Sequence, residues 1–221
     1  MVIPARNEAA RVSEALASIP SRIDGCQEIL RVVVDDGSDD DTSAVASRQA
    51  VVVRHAINLG KGAALRTGCE AALGVGCDLI AAMDADGQHR GDDLAALLRP
   101  LLDGDADVAI AYRSFSAAMP PVMRAGNWGL SLAFSLLYGP RFRDTQCGLR
   151  AFTAAAYDRL RWRSTDYSVE TEMLIRTARC RLRVAEVPIQ TVYHDHYKGT
   201  TIGDGVRIFA NMLRWRLQEG R

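Results

Sequence analysis

A chain of 221 residues, 48% hydrophobic and 24% charged, has the size of one large domain and the composition of an ordinary globular protein. Its 27 basic and 27 acidic residues cancel, so no global field selects nucleic acid or an anionic membrane, and any electrostatic recognition is local. Five scattered cysteines without a C-x-x-C pair argue against a disulfide framework or a cysteine zinc site and fit reduced thiols in a cytoplasmic protein.

In chain order, strands are predicted over 1–4, 29–35, 50–55, 79–83 and 108–112, with helices over 9–18, 42–47, 62–73 and 92–102 between them. The strands are continuous apolar runs, the pattern of an α/β domain whose mostly parallel sheet is covered on both faces. Ligands of such sheets bind at the carboxyl ends of the strands. The polar clusters fall there: Arg6-Asn7-Glu8, Asp35-Asp36-Gly37-Ser38, Asn58 to Gly62, Asp84 to Gln88, and Arg113. With no signal peptide at the start, and residues 1–4 reading as the end of a strand, a few residues are expected to precede Met1 in the native protein.

The second half reads as an apolar helix over 123–138, a strand over 149–153, a helix over 169–179, a strand over 183–187 and a helical tail over 205–217. In the tail Val206, Phe209, Met212 and Leu213 share a side flanked by Arg207, Arg214 and Arg216. The uncharged apolar stretch 125–140 falls short of the roughly 20 residues that span a bilayer. Without repeats or low-complexity linkers, residues 1–221 form one domain.

Asp84-Ala85-Asp86, followed by Gln88, presents oxygen donors directly after a buried strand. Such donors suit one hard cation, Mg²⁺ or Mn²⁺, whose remaining positions take substrate phosphates. A solvated turn with an N-cap explains the two carboxylates equally well when they are taken alone. An EF-hand is excluded, since its sixth and twelfth positions are His89 and Ala95.

Asp36 is placed to accept a hydrogen bond from a base or sugar hydroxyl, whereas Gly37 to Thr42 read as an ordinary turn and helix start. In Asn58-Leu59-Gly60-Lys61-Gly62 the glycines would let backbone N–H groups approach phosphate, with charge from Lys61. Neither the dinucleotide fingerprint nor a Walker A loop is present. His55, His89, His194 and His196 lack H-E-x-x-H spacing, and no G-x-S-x-G elbow supports a serine hydrolase. Arg113, at a strand end on the rim of Asp86, suits bidentate phosphate recognition.

Together these blocks resemble the family 2 glycosyltransferases, and within them the dolichyl- and polyprenyl-phosphate mannose and glucose synthase branch. The resemblance rests on Val2 to Glu8, Val34 to Ser38, Asn58 to Gly68, Asp84 to His89, Asp144-Thr145-Gln146-Cys147-Gly148-Leu149-Arg150 and Glu186-Val187-Pro188-Ile189. It implies a GT-A fold, a Rossmann-like and mostly parallel sheet with helices on both faces. Residues 1–113 would form the nucleotide-sugar half and 114–221 the acceptor half. Pro4, Arg6, Glu8, Val34 and Asp36 would hold the nucleoside, with Lys61, Asp84 and Ala85 also on the donor side. Asp84, Asp86 and Gln88 would hold Mg²⁺ or Mn²⁺. Asp86, Arg113 and Asp144 would act in catalysis, with Glu172 a second candidate for an acceptor-side carboxylate, and Arg124 and Lys198 would bind an acceptor phosphate.

The implied reaction is an inverting, metal-dependent transfer of a hexose from a UDP- or GDP-sugar to a polyprenyl phosphate. UDP-glucose is favoured over GDP-mannose by Asn58 to Gly68. Peripheral contact at the cytosolic membrane face is expected through the basic amphipathic tail. Two alternatives stand beside it: a soluble GT-A enzyme acting on a small-molecule, sugar or protein hydroxyl, and a non-catalytic nucleotide-sugar-binding protein.

Overall fold

The computed structural model describes residues 1–85, 87, 93–113, 121–189 and 201–219. Its first half alternates β1 (Val2–Ala5), α1 (Val12–Ser18), β2 (Val32–Asp35), α2 (Thr42–Ala46), β3 (Val51–Arg54), α3 (Lys61–Gly74), β4 (Leu79–Ala82), α4 (Asp93–Leu102) and β5 (Val108–Arg113). The second half adds α5 (Pro121–Tyr138), β6 (Arg150–Thr153), α6 (Ala154–Leu160), α7 (Val169–Arg179), β7 (Val184–Ile189) and α8 (Ile202–Glu219). The strands form one mixed sheet in the order β3-β2-β1-β4-β6-β5-β7.

Successive residues of a strand point to opposite faces, and both faces of this sheet are covered. Ile3, Val33, Ala81 and Ala109 pack with Leu16, Leu94 and Leu97 on one side. Val2, Ile80 and Ile110 pack with Leu65, Phe152, Trp162 and Leu174 on the other. Two-sided burial explains why the strands read as unbroken apolar runs. The two edge strands are less covered: β3 leaves Val51 and Arg54 exposed and β7 leaves Pro188 exposed.

All predicted elements of the second half are present, with ends shifted by a few residues. The two-turn α6 was not predicted. It follows β6 without a linker and begins at Thr153, whose hydroxyl accepts the Ala156 N–H at 3.1 Å.

One departure from a parallel sheet positions the site. β6 runs antiparallel to both β4 and β5, with Ala82 opposite Arg150 and Ile110 also opposite Arg150. A strand in that direction starts at the rim where β4 and β5 end. Continuing the β4–β6 register two residues past Ala82 brings Asp84 opposite Gly148. The Asp144 to Gly148 run is thereby delivered to the rim that carries Asp84 and Arg113.

Candidate active site

A cleft of about 350 Å³ opens at this rim. Its wall takes Pro4, Arg6 and Glu8 from the end of β1, Asp36 from the end of β2, Asn58, Gly60 and Lys61 from the entry to α3, and Asp84 and Ala85 from the end of β4. Of the expected donor-side residues, only Val34 is not part of the wall. Its side chain is buried against Ala64 of α3, so it belongs to the core.

Asp36 binds the protein's own loop. Its Oδ1 accepts the Leu59 N–H at 2.8 Å and faces His55 Nδ1 at 2.7 Å, and its Oδ2 accepts the Gly60 N–H at 2.7 Å. His55 Nε2 lies 3.0 Å from Thr67 Oγ1. The carboxylate therefore fixes the shape of the 58–60 wall, a role the sequence reading did not assign to it.

The glycines of that loop differ from their expected role too. Gly60 adopts φ of 95°, and a Cβ there would overlap the Thr165 carbonyl oxygen. A Cβ on Gly62 would overlap the carbonyl oxygen of Ser164, while the Gly62 N–H donates to Thr165 O at 2.8 Å. Trp162 Nε1 closes the contact by donating to Gly62 O at 2.8 Å. Both glycines thus let α3 approach the 162–166 segment, and the N–H groups of Leu59, Gly60 and Gly62 are engaged within the protein instead of forming a phosphate cradle.

Lys61 stands at the centre. Its Nζ lies 2.6 Å from Asp84 Oδ1 and 2.7 Å from Glu170 Oε1. Burial opposes the ammonium charge, but the two carboxylates hold its pKa above the ordinary lysine value. Asp84 in turn fills the space left by the missing side chain of Gly148, since a Cβ there would overlap its Oδ2.

The carboxylate oxygens of Asp84, on the cleft wall and seated in a glycine-made recess, are donors that suit a hard divalent cation, and the cation they face in this structure is the Lys61 ammonium. Among the described residues no three His, Cys, Asp or Glu side chains group as a metal site. The expected partners Asp86 and Gln88 lie outside the described residues, as does Lys198.

Arg113 and Asp144 form a buried two-point pair, Nε to Oδ2 at 2.6 Å and Nη2 to Oδ1 at 3.0 Å. Burial would raise the Asp144 carboxyl pKa, yet the guanidinium and the Gln146 N–H bring it below the ordinary carboxylate value. The pair sits beside the cleft and not on its wall. Glu172 accepts N–H groups from Arg163 and Ser164 and pairs with Arg176, which makes it a clasp for the 163–164 turn. Arg124 is exposed near the start of α5 and is not part of the cleft wall.

The sequence reading missed the far wall: Asp166, Tyr167, Asp204 and Arg207. One signal for it was available. Thr201-x-x-Asp204 is a capping box, with Thr201 N donating to Asp204 Oδ2 at 3.0 Å and Asp204 N to Thr201 Oγ1 at 3.2 Å. That start places Asp204 and Arg207, three apart, on one helix face.

A family model described as Glycosyl transferase family 2 matches residues 1–160. UDP-N-acetylglucosamine–dolichyl-phosphate N-acetylglucosaminyltransferase of Methanococcus voltae is 29% identical over 98% of this chain and 95% of its own length. Undecaprenyl-phosphate mannosyltransferase of Micrococcus luteus is 30% identical over 98% of this chain and 93% of its own. Among solved structures, glucosyl-3-phosphoglycerate synthase of Mycobacterium tuberculosis, in complex with Mn²⁺, uridine-diphosphate-glucose and glycerol 3-phosphate, matches with a TM-score of 0.75. The match covers 97% of this chain and 78% of that one, at 23% identity.

Proposed function

This chain belongs to glycosyl transferase family 2 and has the GT-A fold, and we propose that it transfers glucose from UDP-glucose to a polyprenyl phosphate with inversion at the anomeric carbon. The observation that carries the reading is the cleft itself. It joins the ends of β1, β2 and β4 and the entry to α3 around Asp84, a carboxylate already facing a cation. The two relatives named for dolichyl phosphate and undecaprenyl phosphate support a lipid-phosphate acceptor. The M. voltae relative, whose name specifies a UDP-sugar, supports the uridine donor.

Arg6, Glu8 and Asp36 form the nucleoside end of the cleft, and Asp84, Asp86 and Gln88 would hold Mg²⁺ or Mn²⁺. When bound, the ion supplies Lewis-acid neutralisation of the leaving diphosphate. Arg113, at the end of β5, is the cationic side chain proposed to act on the diphosphate, its charge offset by Asp144. Because Asp144 fixes its guanidinium at two points, that charge is oriented before substrate arrives.

The acceptor phosphate oxygen forms the new bond to the anomeric carbon as the bond to the diphosphate oxygen breaks, and UDP leaves with the electron pair. The acceptor oxygen is anionic near neutral pH, so no proton has to be removed. This is consistent with the absence of an unoccupied carboxylate base at Asp144 or Glu172, each of which is held by its own partners. Arg124 and Lys198 are the residues proposed for the acceptor phosphate.

No helix among the described residues is long and apolar enough to cross a membrane. α5 and α8 pack together, with Tyr138 Oη donating to Met212 O at 2.8 Å. They expose Trp128, Leu132, Leu136, Val206, Leu213 and Leu217, with Arg214 and Arg216 on α8. This apolar and basic surface supports peripheral attachment at the cytosolic membrane face.

The test is a panel of UDP- and GDP-sugars with Mn²⁺, offered a short polyprenyl phosphate and, separately, soluble acceptors including 3-phosphoglycerate. Glucosyl transfer to the lipid phosphate from UDP-glucose is expected. Transfer to a soluble acceptor alone replaces the lipid; binding without turnover of any donor overturns the enzymatic reading.

A further inference from the structure

Lys61 joins two carboxylates from opposite halves of the chain. Asp84 follows β4, whereas Glu170 lies in the first turn of α7 and is buried. Contacts of 2.6 and 2.7 Å are charge-assisted hydrogen bonds. The Tyr167 ring, part of the far wall of the cleft, lies 5.7 Å from Nζ.

A divalent ion ligated by Asp84 would sit about 2.1 Å from a carboxylate oxygen. With an ammonium on the same carboxylate, two like charges would stand within about 4 Å in a partly buried corner, a costly arrangement. One cation has to give way. Lys61 has somewhere to go, because Glu170 binds it independently of Asp84.

We infer that Lys61 occupies the cation place at Asp84 and yields it to the divalent ion, with Glu170 keeping the displaced ammonium within reach. Lys61 is then a positioning residue that sets the affinity of the metal site and keeps Asp84 aligned while that site is vacant. The inference rests on the donor-site reading given above.

The test is a Mn²⁺ titration of the full chain without nucleotide, the free ion being read by electron paramagnetic resonance. Wild type is compared with K61M, E170Q and R207M. K61M is expected to bind Mn²⁺ roughly tenfold more tightly, the size of one charge-assisted contact removed from competition. E170Q is expected to bind several-fold more weakly, because it removes the carboxylate that draws Lys61 off Asp84. Arg207 lines the same cleft but stands 3.8 Å from Asp166, and R207M is expected to change affinity less than about twofold.

Equal tightening in K61M and R207M would mean that only the general positive field matters. Unchanged or weaker binding in K61M would mean a fixed structural bridge. Either result overturns the inference alone. A wild type that binds no Mn²⁺, with or without UDP, overturns the donor-site reading along with it. Circular dichroism melts accompany every variant, and E170Q keeps the test decisive if K61M does not fold.

Discussion

Asp144 grips the guanidinium of Arg113 at Nε and Nη2, at 2.6 and 3.0 Å, with both residues buried. A buried pair of this kind is weak evidence for net stability, but removing one partner leaves a charge uncompensated. D144N is expected to destabilise the fold by about 3 kcal/mol, read from urea unfolding. R113K keeps the charge and loses the fork, so its stability is expected to fall less while transfer falls at least about tenfold. If R113K transfers sugar at the wild-type rate, the guanidinium geometry has no part in the reaction.

Two glycines without room for a side chain separate packing from chemistry. In G62A the methyl group meets the Ser164 carbonyl, which is backbone and cannot step aside. A loss of about 1–3 kcal/mol is expected from the overlap, and a melt indistinguishable from wild type would refute it. In G148A the methyl group meets the Asp84 carboxylate, the far end of a flexible side chain. That protein is expected to melt near the wild-type temperature while Mn²⁺ binding and transfer both fall.

The exposed residues of α5 and α8 make a third expectation. Binding of the full chain to vesicles containing anionic lipid is expected to exceed binding to neutral vesicles and to weaken with salt. L217D together with W128D is expected to reduce sedimentation with the vesicles without changing donor hydrolysis in solution. If both proteins sediment alike, this face is not the attachment surface.

The fold of the first half was legible in the sequence because each of its strands is a short apolar run ending in a polar cluster, and sequential βαβ units put those ends on one rim. That Arg6, Asp36 and Asp84 line the cleft follows from that rule alone. The antiparallel insertion of β6 was not legible, since a central strand buried on both faces reads the same in either direction. With it went the opposition of Gly148 and Asp84.

The roles of Gly60 and Gly62 were misread for a related reason. A glycine pair at a helix start looks alike whether it admits a phosphate or a neighbouring segment of chain, and here Thr165 and Ser164 occupy the space. Glu170 and Tyr167 carried no local signal, because their partners in the cleft lie about 100 residues away in the chain.

Glu172 gives the fourth prediction, and it concerns pH. Its two oxygens accept the Arg163 N–H at 2.9 and 3.0 Å, the Ser164 N–H at 2.7 Å and the Ser164 hydroxyl at 2.6 Å, with Arg176 Nε at 2.8 Å. This clasp holds the turn whose carbonyls pack on Gly60 and Gly62, so it supports the cleft from behind. Burial would raise the carboxyl pKa, but the Ser164, Arg163 and Arg176 donors outweigh it and bring the value below that of an ordinary glutamate. A depressed carboxylate contributes stability that is fully present above its unfolded pKa and is lost as pH falls through the folded one. E172Q places an amide N–H₂ against donors and is expected to cost about 2–3 kcal/mol at pH 7. That gap should persist down to about pH 5 and narrow as the pH falls through the ordinary glutamate pKa towards the lower folded one, first as the unfolded and then as the folded carboxyl takes up its proton. Urea midpoints at pH 7, 5 and 3.5 measure it, and a gap that stays constant across the three would show that the lost stability comes from shape and not from the charge of Glu172.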